Sequence, residues 1–349
     1  MTQKTNSYNY SADIIRSLAI VLVIIIHVYN EPLTYSFDWW FANVIEAIAK
    51  VAVPLFIMLS GLLILDPSKT YSIRMFYKKR LSRIGIPLLF WPLFYYFGFL
   101  VVSHKSFQLG KFISDYVFLN TFYHLYFLYI IAGLYSIAPF LKKMLSQLDT
   151  AETKFLIISS LSFSLLVTIL VYVAPNKLSY WSMITVFIPF IGYFIIGRYL
   201  AAITLTRKQL VWLGIGYGVL LSITILCKYF AYTQGNTVLI RYLVDALSID
   251  VMLLALSSYV LLLHLTHSRI FIKNQVLQHM WKYISSMSFG IYIIHPLVLY
   301  GINKALHYSA TTDISWMLLL IEVIGVFSIS YLLVFMAKKI PIVRMLFGS

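Results

Sequence analysis

The sequence predicts an all-α membrane bundle of about ten spans with both termini cytoplasmic, and three observations predict it. Of 349 residues, 61% are hydrophobic and 11% charged, with a mean hydropathy of +0.86, a composition that soluble domains of this length do not carry. Apolar stretches of about 20 residues, the length that crosses a bilayer, recur ten times along the chain. The Lys and Arg residues between them are unevenly shared between alternate connections, which sets an orientation.

The ten stretches run over about 11–30, 42–65, 85–103, 122–141, 154–174, 182–202, 209–231, 242–266, 285–303 and 314–337. With the N-terminus inside, the inner segments hold 19 of the 27 Lys and Arg and the outer segments six, with Lys228 counted among the outer ones. Arg16 and Lys50 fall within spans. Met1–Tyr10 is polar, so the first stretch reads as a signal anchor rather than a cleaved signal. The connections are too short for a folded domain, and there is no internal repeat, so residues 1–349 read as one transmembrane domain. The net charge of +15 reflects inner loops facing anionic lipid, and no nucleic-acid partner is expected. Cys227 has no second cysteine to pair with.

Any chemistry must then sit in the bundle or at its faces, and ionisable residues within spans are the first candidates. In the first stretch, "RSLAIVLVIIIH", Arg16 and His27 are eleven residues apart, about three helical turns. They share a face at depths differing by about 16 Å. Arg16 sits toward the inner end, His27 toward the outer. The structural alternative is an Arg that snorkels to headgroups and a His that caps the interface. The second stretch enters from outside with Glu46 and Lys50 on one face at i,i+4. Glu46 should reach the depth of His27 and orient its ring, unless it only neutralises Lys50. Pro54 should kink this helix, and Ser60-Gly61 offers a small surface for a helix or ligand. The basic segment "RMFYKKRLSRIGIP" follows, where Arg80 and Arg83 can face one anion, or simply rest on lipid headgroups. Further on, His124 opens the fourth stretch and His295 lies in the ninth, while His264 and Glu322 read as structural.

These features resemble the acyltransferase-3 family of integral membrane O-acyltransferases. The resemblance runs through most of the chain. It rests on the Arg-x10-His spacing of Arg16 and His27, "VPLFIMLSGLLIL" at 53–65, "KRLSRIGIP" with Arg80 and Arg83, "YHLYFLYIIAGLYSIAP" at 123–139, "GYFIIGRYL" at 192–200 and "SFGIYIIHPLVLY" at 288–300. The chain is similar to the stand-alone bacterial branch, such as the enterobacterial common antigen O-acetyltransferase. The SGNH-type hydrolase domain fused in some relatives does not occur in this sequence, so hand-over of the acyl group is expected to fall to the bundle alone. The resemblance implies a multi-pass protein of the bacterial cytoplasmic membrane. It implies transfer of an acyl group, usually acetyl, from cytoplasmic acetyl-CoA to a hydroxyl of a cell-envelope glycan or its lipid-linked precursor. It places Arg80, Arg83, Arg16 and Ser60 on the donor, His27 with Arg16 and Glu46 at the chemistry, and His124, His295 and Tyr292 in the acceptor pocket. His27 would act as general base or carry the acyl group itself.

No metal-ligand spacing and no Gly-rich phosphate loop is visible. A proton-coupled carrier would also suit intramembrane Arg, His and Glu, although carriers usually show inverted repeats. A non-catalytic partner in polysaccharide export is the third reading.

Overall fold

A computed structural model describes residues 10–29, 37–69, 71–120, 122–174, 182–266, 274–306 and 316–348. Among these residues there is no strand. Hydrocarbon offers no partner to a free backbone amide, so the chain satisfies its own amides in helices. These are α1 (Tyr10–Val28), α2 (Phe37–Ala49), α3 (Ala52–Ile64), α4 (Ile73–Arg80), α5 (Ile86–Val102), α6 (Leu109–Val117), α7 (Tyr126–Leu145), α8 (Thr150–Val173) and α9 (Ile191–Leu200). They continue with α10 (Arg207–Thr233), α11 (Thr237–Tyr242), α12 (Ile249–Thr266), α13 (Gln275–Ala305), α14 (Trp316–Lys338) and α15 (Pro341–Arg344).

Nine of the ten expected spans are long and apolar enough to cross a membrane, counting α2–α3 and α4–α5 as one span each. The sixth differs from expectation. Its helical part is Ile188–Leu200, which at 1.5 Å per residue reaches only about 20 Å. Residues 182–187 cover the remaining depth as turns. Irregular backbone is tolerated there because part of it packs on protein and its polar groups find partners. Val186 and Phe190 are buried, the Met183 amide donates to the Val117 carbonyl, and the Ser164 hydroxyl donates to the Pro189 carbonyl.

Four helices that begin at one face, α4, α8, α10 and α13, each start on a side-chain cap: Ser72, Asp149, Thr206 and Asn274. Their first amides lack intrahelical partners, and the caps supply them. The described chain ends meet at this same face. Arg16 of α1 donates to Ser285 of α13, and Lys338 of α14 donates to the Ser286 carbonyl.

Two prolines interrupt spans, each four residues after the break. Pro54 has no amide for the Lys50 carbonyl, and the chain leaves helix at Lys50–Val51 between α2 and α3, the kink that the sequence predicted. Pro87 likewise cannot serve the Arg83 carbonyl, and α4 joins α5 through a wide π-helical turn, Leu81–Gly85.

The middle of the bundle is α1, α3 and α13, while α10 and α8 face outward, with only 6% of the α10 span buried against 61% of α1. Lipid tails are as apolar as Leu, so close van der Waals packing has to hold these helices together. The closest approach is α3 on α9. A Cβ on Gly61 would overlap the Phe194 carbonyl, and one on Gly197 would overlap the Met58 carbonyl. Both obstacles are backbone and cannot rotate away. Gly61→Ala should therefore lower the unfolding temperature in detergent, at a cost of about 1–3 kcal/mol. Gly216→Ala on α10 meets nothing within 4 Å and should leave stability equal or slightly higher. Equal unfolding temperatures for the two variants would contradict this packing.

Candidate functional site

Helix α1 carries the core of the site. Asp13 precedes Arg16 by three residues, and both turn toward α13. The Ser285 hydroxyl donates to Asp13 Oδ1 at 2.6 Å and accepts from Arg16 Nη1 at 3.0 Å. Arg16 and Asp13 stand 3.8 Å apart. One serine thus holds both charges, and Arg16 is positioned rather than snorkelling.

Arg16 opens into a cavity of about 720 Å³ at the face where the chain ends meet. Arg80, Arg83, Lys282 and Lys338 line it as well, so five cations stand against the single carboxylate of Asp13. The guanidinium of Arg80 lies 5.4 Å from the centre of the Phe76 ring and 5.0 Å from that of Tyr135, and its buried Nε has no partner. The Tyr135 hydroxyl reaches Ser60 at 3.4 Å. All four residues expected on the donor, Arg16, Ser60, Arg80 and Arg83, therefore share one cavity, although they come from α1, α3, the end of α4 and the π-helical turn. Its inner end closes on Phe127 and Tyr292, rings 5.2 Å apart.

Behind Tyr292 lie three histidines from three helices or their edges. His27 tilts over His295 at 5.1 Å between ring centres, and His295 meets His124 edge-on at 5.5 Å. Tyr123 closes on His27 at 4.9 Å. The Tyr292 hydroxyl donates to the His124 carbonyl, which ties the partition to the cluster.

Local sequence sets how two of these rings are held. Pro296 has no amide to offer the Tyr292 carbonyl four residues back. His295 fills that vacancy, with Nδ1 2.7 Å from the same carbonyl. A carbonyl only accepts, so Nδ1 carries the hydrogen and Nε2 is left as a buried acceptor with no partner. His124 shows the mirror arrangement. Its Nε2 donates to the Ile293 carbonyl at 3.1 Å, and its Nδ1 is buried without a partner. Among the described residues, no three His, Cys, Asp or Glu side chains have metal-holding geometry.

Glu46 is placed differently from expectation. Its Oε1 pairs with Lys50 at 3.1 Å and its Oε2 with Lys228 at 2.6 Å. Both carboxylate oxygens are taken, and Glu46 does not orient His27. Lys228 is also corrected: it lies inside α10, 4% exposed, rather than in an outer connection. It reaches Glu46 because α10 packs on α2, where Trp40 and Tyr229 stack at 5.1 Å.

Sequence reasoning missed Asp13 as a partner, although its i,i+3 spacing to Arg16 was visible. Ser285, Lys282, Lys338 and Tyr123 carried no such signal, because only the folded chain brings them to the site. His264 is structural. Its Nδ1 donates to the Val260 carbonyl at 2.9 Å and its Nε2 accepts from the Leu205 amide at 3.2 Å.

The profile of the acyltransferase domain, acyltransferase-3, matches residues 9–336, nearly the whole chain. The chain belongs to the acyltransferase-3 family. It is a multi-pass membrane acyltransferase, and the match includes every site residue described above except Lys338, which lies just beyond its end. Comparison with curated proteins and with solved structures finds no match in either.

Two predictions follow from the geometry of this acyltransferase-3 bundle. Glu46→Gln leaves two largely buried ammonium groups unneutralised and should cost about 3–5 kcal/mol in stability. Lys228→Met should cost less, because Lys50 still answers the carboxylate. Chemical denaturation of both variants should rank them in that order, and the reverse ranking would contradict the shared pair. Pro296→Ala restores a backbone amide that competes for the Tyr292 carbonyl. Nitrogen-15 spectra of labelled histidine should then show loss of the Nδ1–H form of His295 in a folded protein, and an unchanged His295 signal would refute the role assigned to Pro296.

Proposed function

We propose that this acyltransferase moves an acyl group, acetyl in the simplest case, from acyl-CoA to a hydroxyl of a cell-envelope glycan or its lipid-linked precursor. The donor would enter from the cytoplasm, and the protein would sit in a bacterial cytoplasmic membrane, in the manner of the enterobacterial common antigen O-acetyltransferase. One observation carries the reading: a strongly basic cavity at one face ends on two rings, and three imidazoles lie directly behind them.

The donor fits this arrangement by charge and by size. Arg80 and Arg83 present guanidinium forks suited to the CoA phosphates. A cavity of about 720 Å³ is in the range that holds such a ligand. Arg16, held by Asp13 and Ser285, faces the pantetheine arm, and Ser60 with Tyr135 forms the opposite wall. The thioester then meets the rings at Phe127 and Tyr292. The abundance of Lys and Arg on this face supports its being cytoplasmic.

His27 would take the proton of the acceptor hydroxyl as that oxygen attacks the thioester carbon. The new C–O bond forms, the C–S bond breaks, and His27 returns the proton to the departing thiolate. An acyl-His27 intermediate would use the same ring as nucleophile. His124, His295 and Tyr292 form the acceptor pocket, where the bare Nδ1 of His124 and Nε2 of His295 offer hydrogen-bond acceptors to sugar hydroxyls. A carrier would need no such juxtaposition of a basic cavity and a closed imidazole cluster.

His27→Ala should lower acyl transfer per mole of folded protein by roughly 10²-fold or more, while acyl-CoA affinity stays near wild type. The Arg80→Gln, Arg83→Gln double variant should weaken acyl-CoA binding about tenfold or more, and Lys at both positions should restore it only in part. Binding by isothermal titration and transfer of labelled acetyl to envelope polymer would read both. Near-normal turnover in His27→Ala would sink the catalytic assignment, and unchanged acyl-CoA affinity in the double variant would sink the donor assignment.

A further inference from the structure

A second cavity, of about 590 Å³, opens at the same face and shares no lining residue with the first. It is walled by the α3–α4 connection, the ends of α7 and α9, and the start of α8. The two cavities are separated by a stack of side chains. Lys142 lies 4.7 Å from the Tyr71 ring centre, Tyr71 stacks on Phe76 at 5.2 Å, and Phe76 underlies Arg80, which belongs to the first cavity.

The second cavity is also basic. Lys69, Lys142, Lys143 and Arg198 line it. Lys69 has Asp66 at 3.8 Å. Lys142 donates to the Lys69 carbonyl, which is not a charge. Among the described residues, no carboxylate lies within 4 Å of Lys142, Lys143 or Arg198. Arg198 is half-buried at the end of α9. Asp66, paired with Lys69, is the carboxylate whose charge also reaches Arg198 and Lys142 from beyond ion-pair distance. Four cations lining the cavity against that one shared carboxylate leave an excess of positive charge that suits an anion from outside the chain. The opposite wall is apolar, with Leu65, Ile195 and a half-exposed Ile73. Basic pockets between transmembrane helices on the cytoplasmic side suit anionic lipid headgroups.

We propose that this cavity is a second anion site that binds a phosphate-bearing headgroup through Arg198, Lys142 and Lys143, with the apolar wall against the chain of an anionic phospholipid. It lies outside the donor cavity, so its occupant is not the acyl-CoA of the proposed reaction. The shared chemistry is phosphate, and a lipid and a soluble phosphate are its two sources.

The test uses the full-length protein in detergent. Short-chain phosphatidylglycerol, phosphatidylcholine and inorganic phosphate are titrated separately, and the unfolding temperature is read. Phosphatidylglycerol should raise it in a saturable manner, and phosphatidylcholine should not. The Lys143→Gln, Arg198→Gln variant should need roughly tenfold more phosphatidylglycerol for the same shift, with acyl-CoA binding unchanged. Among the described residues neither side chain has a hydrogen-bond partner, and Arg198→Lys serves as the charge-preserving control should the double variant fold poorly. It should keep most of the response. A variant-sensitive shift with inorganic phosphate alone would support the site with a soluble occupant. Equal responses from wild type and double variant, or no response to any phosphate compound, would overturn the proposal. Loss of acyl-CoA binding in wild type would instead count against the donor cavity and leave this site standing.

Discussion

A charge inside a hydrocarbon slab must be met by an opposite charge, by hydrogen bonds or by a ligand, because water cannot meet it. This bundle uses the first two in its interior, and its architecture follows from where each is used. Glu46 is shared by Lys50 and Lys228, which ties the outlying α10 to α2. Asp13 and Arg16 are joined through one serine of α13, which locks α1 to the helix that carries His295. At the face where the chain ends meet, cations outnumber carboxylates in both cavities. That excess of positive charge would suit an anionic ligand.

The same economy governs the backbone. Each span departs from regular helix only where protein covers it or where the site needs room. Pro54 opens the turn at Lys50–Val51, beside the ion pair of Lys50 with Glu46. Pro87 widens the helix into the turn that carries Arg83 to the cavity, and Gly348 packs against the Arg83 carbonyl left without its helical partner. The left-handed backbone of Gly348, φ 70°, and the hydrogen bond from Trp91 to the Leu346 carbonyl seat the C-terminal segment there. Pro296 acts through a side chain instead. The carbonyl it leaves vacant is taken by His295, and a ring nitrogen is thereby turned toward the cluster. Three prolines thus shape the chain at Lys50, Arg83 and His295 by the same mechanism, the loss of one amide donor four residues downstream of a carbonyl.

Depth organises the site into two compartments. Cationic side chains lie on one side of Phe127 and Tyr292 and imidazoles on the other, with Arg16 and His27 marking the two compartments on a single helix. That division suits a reaction whose donor and acceptor come from opposite faces, because only the reacting group has to pass the rings. Tyr292 belongs to both compartments, since it lines the cavity and its hydroxyl is tied to the His124 carbonyl.

Much of this was legible in the residues themselves. Hydropathy along the chain located nine spans that the structure builds as long apolar helices, because helix length in a bilayer is set by the bilayer. The eleven-residue spacing of Arg16 and His27 placed both on one stripe at two depths, because helical periodicity requires it. The positions of Pro54, Arg80 and Arg83 likewise carried their meaning locally. What the sequence could not contain was the choice of partners. Glu46 had two plausible neighbours at similar depth, His27 and Lys50, and packing of α10 added a third, Lys228, that took the second oxygen. The sixth span looked continuous because composition does not reveal that turns replace residues 182–187 of it. The convergence of His27, His124 and His295 joins positions far apart in the chain, and the separation of the two basic cavities depends on a stack running from Lys142 to Arg80. Periodicity and composition are properties of one segment at a time, whereas an ion pair or a cavity belongs to several segments at once, and only their packing in three dimensions selects it.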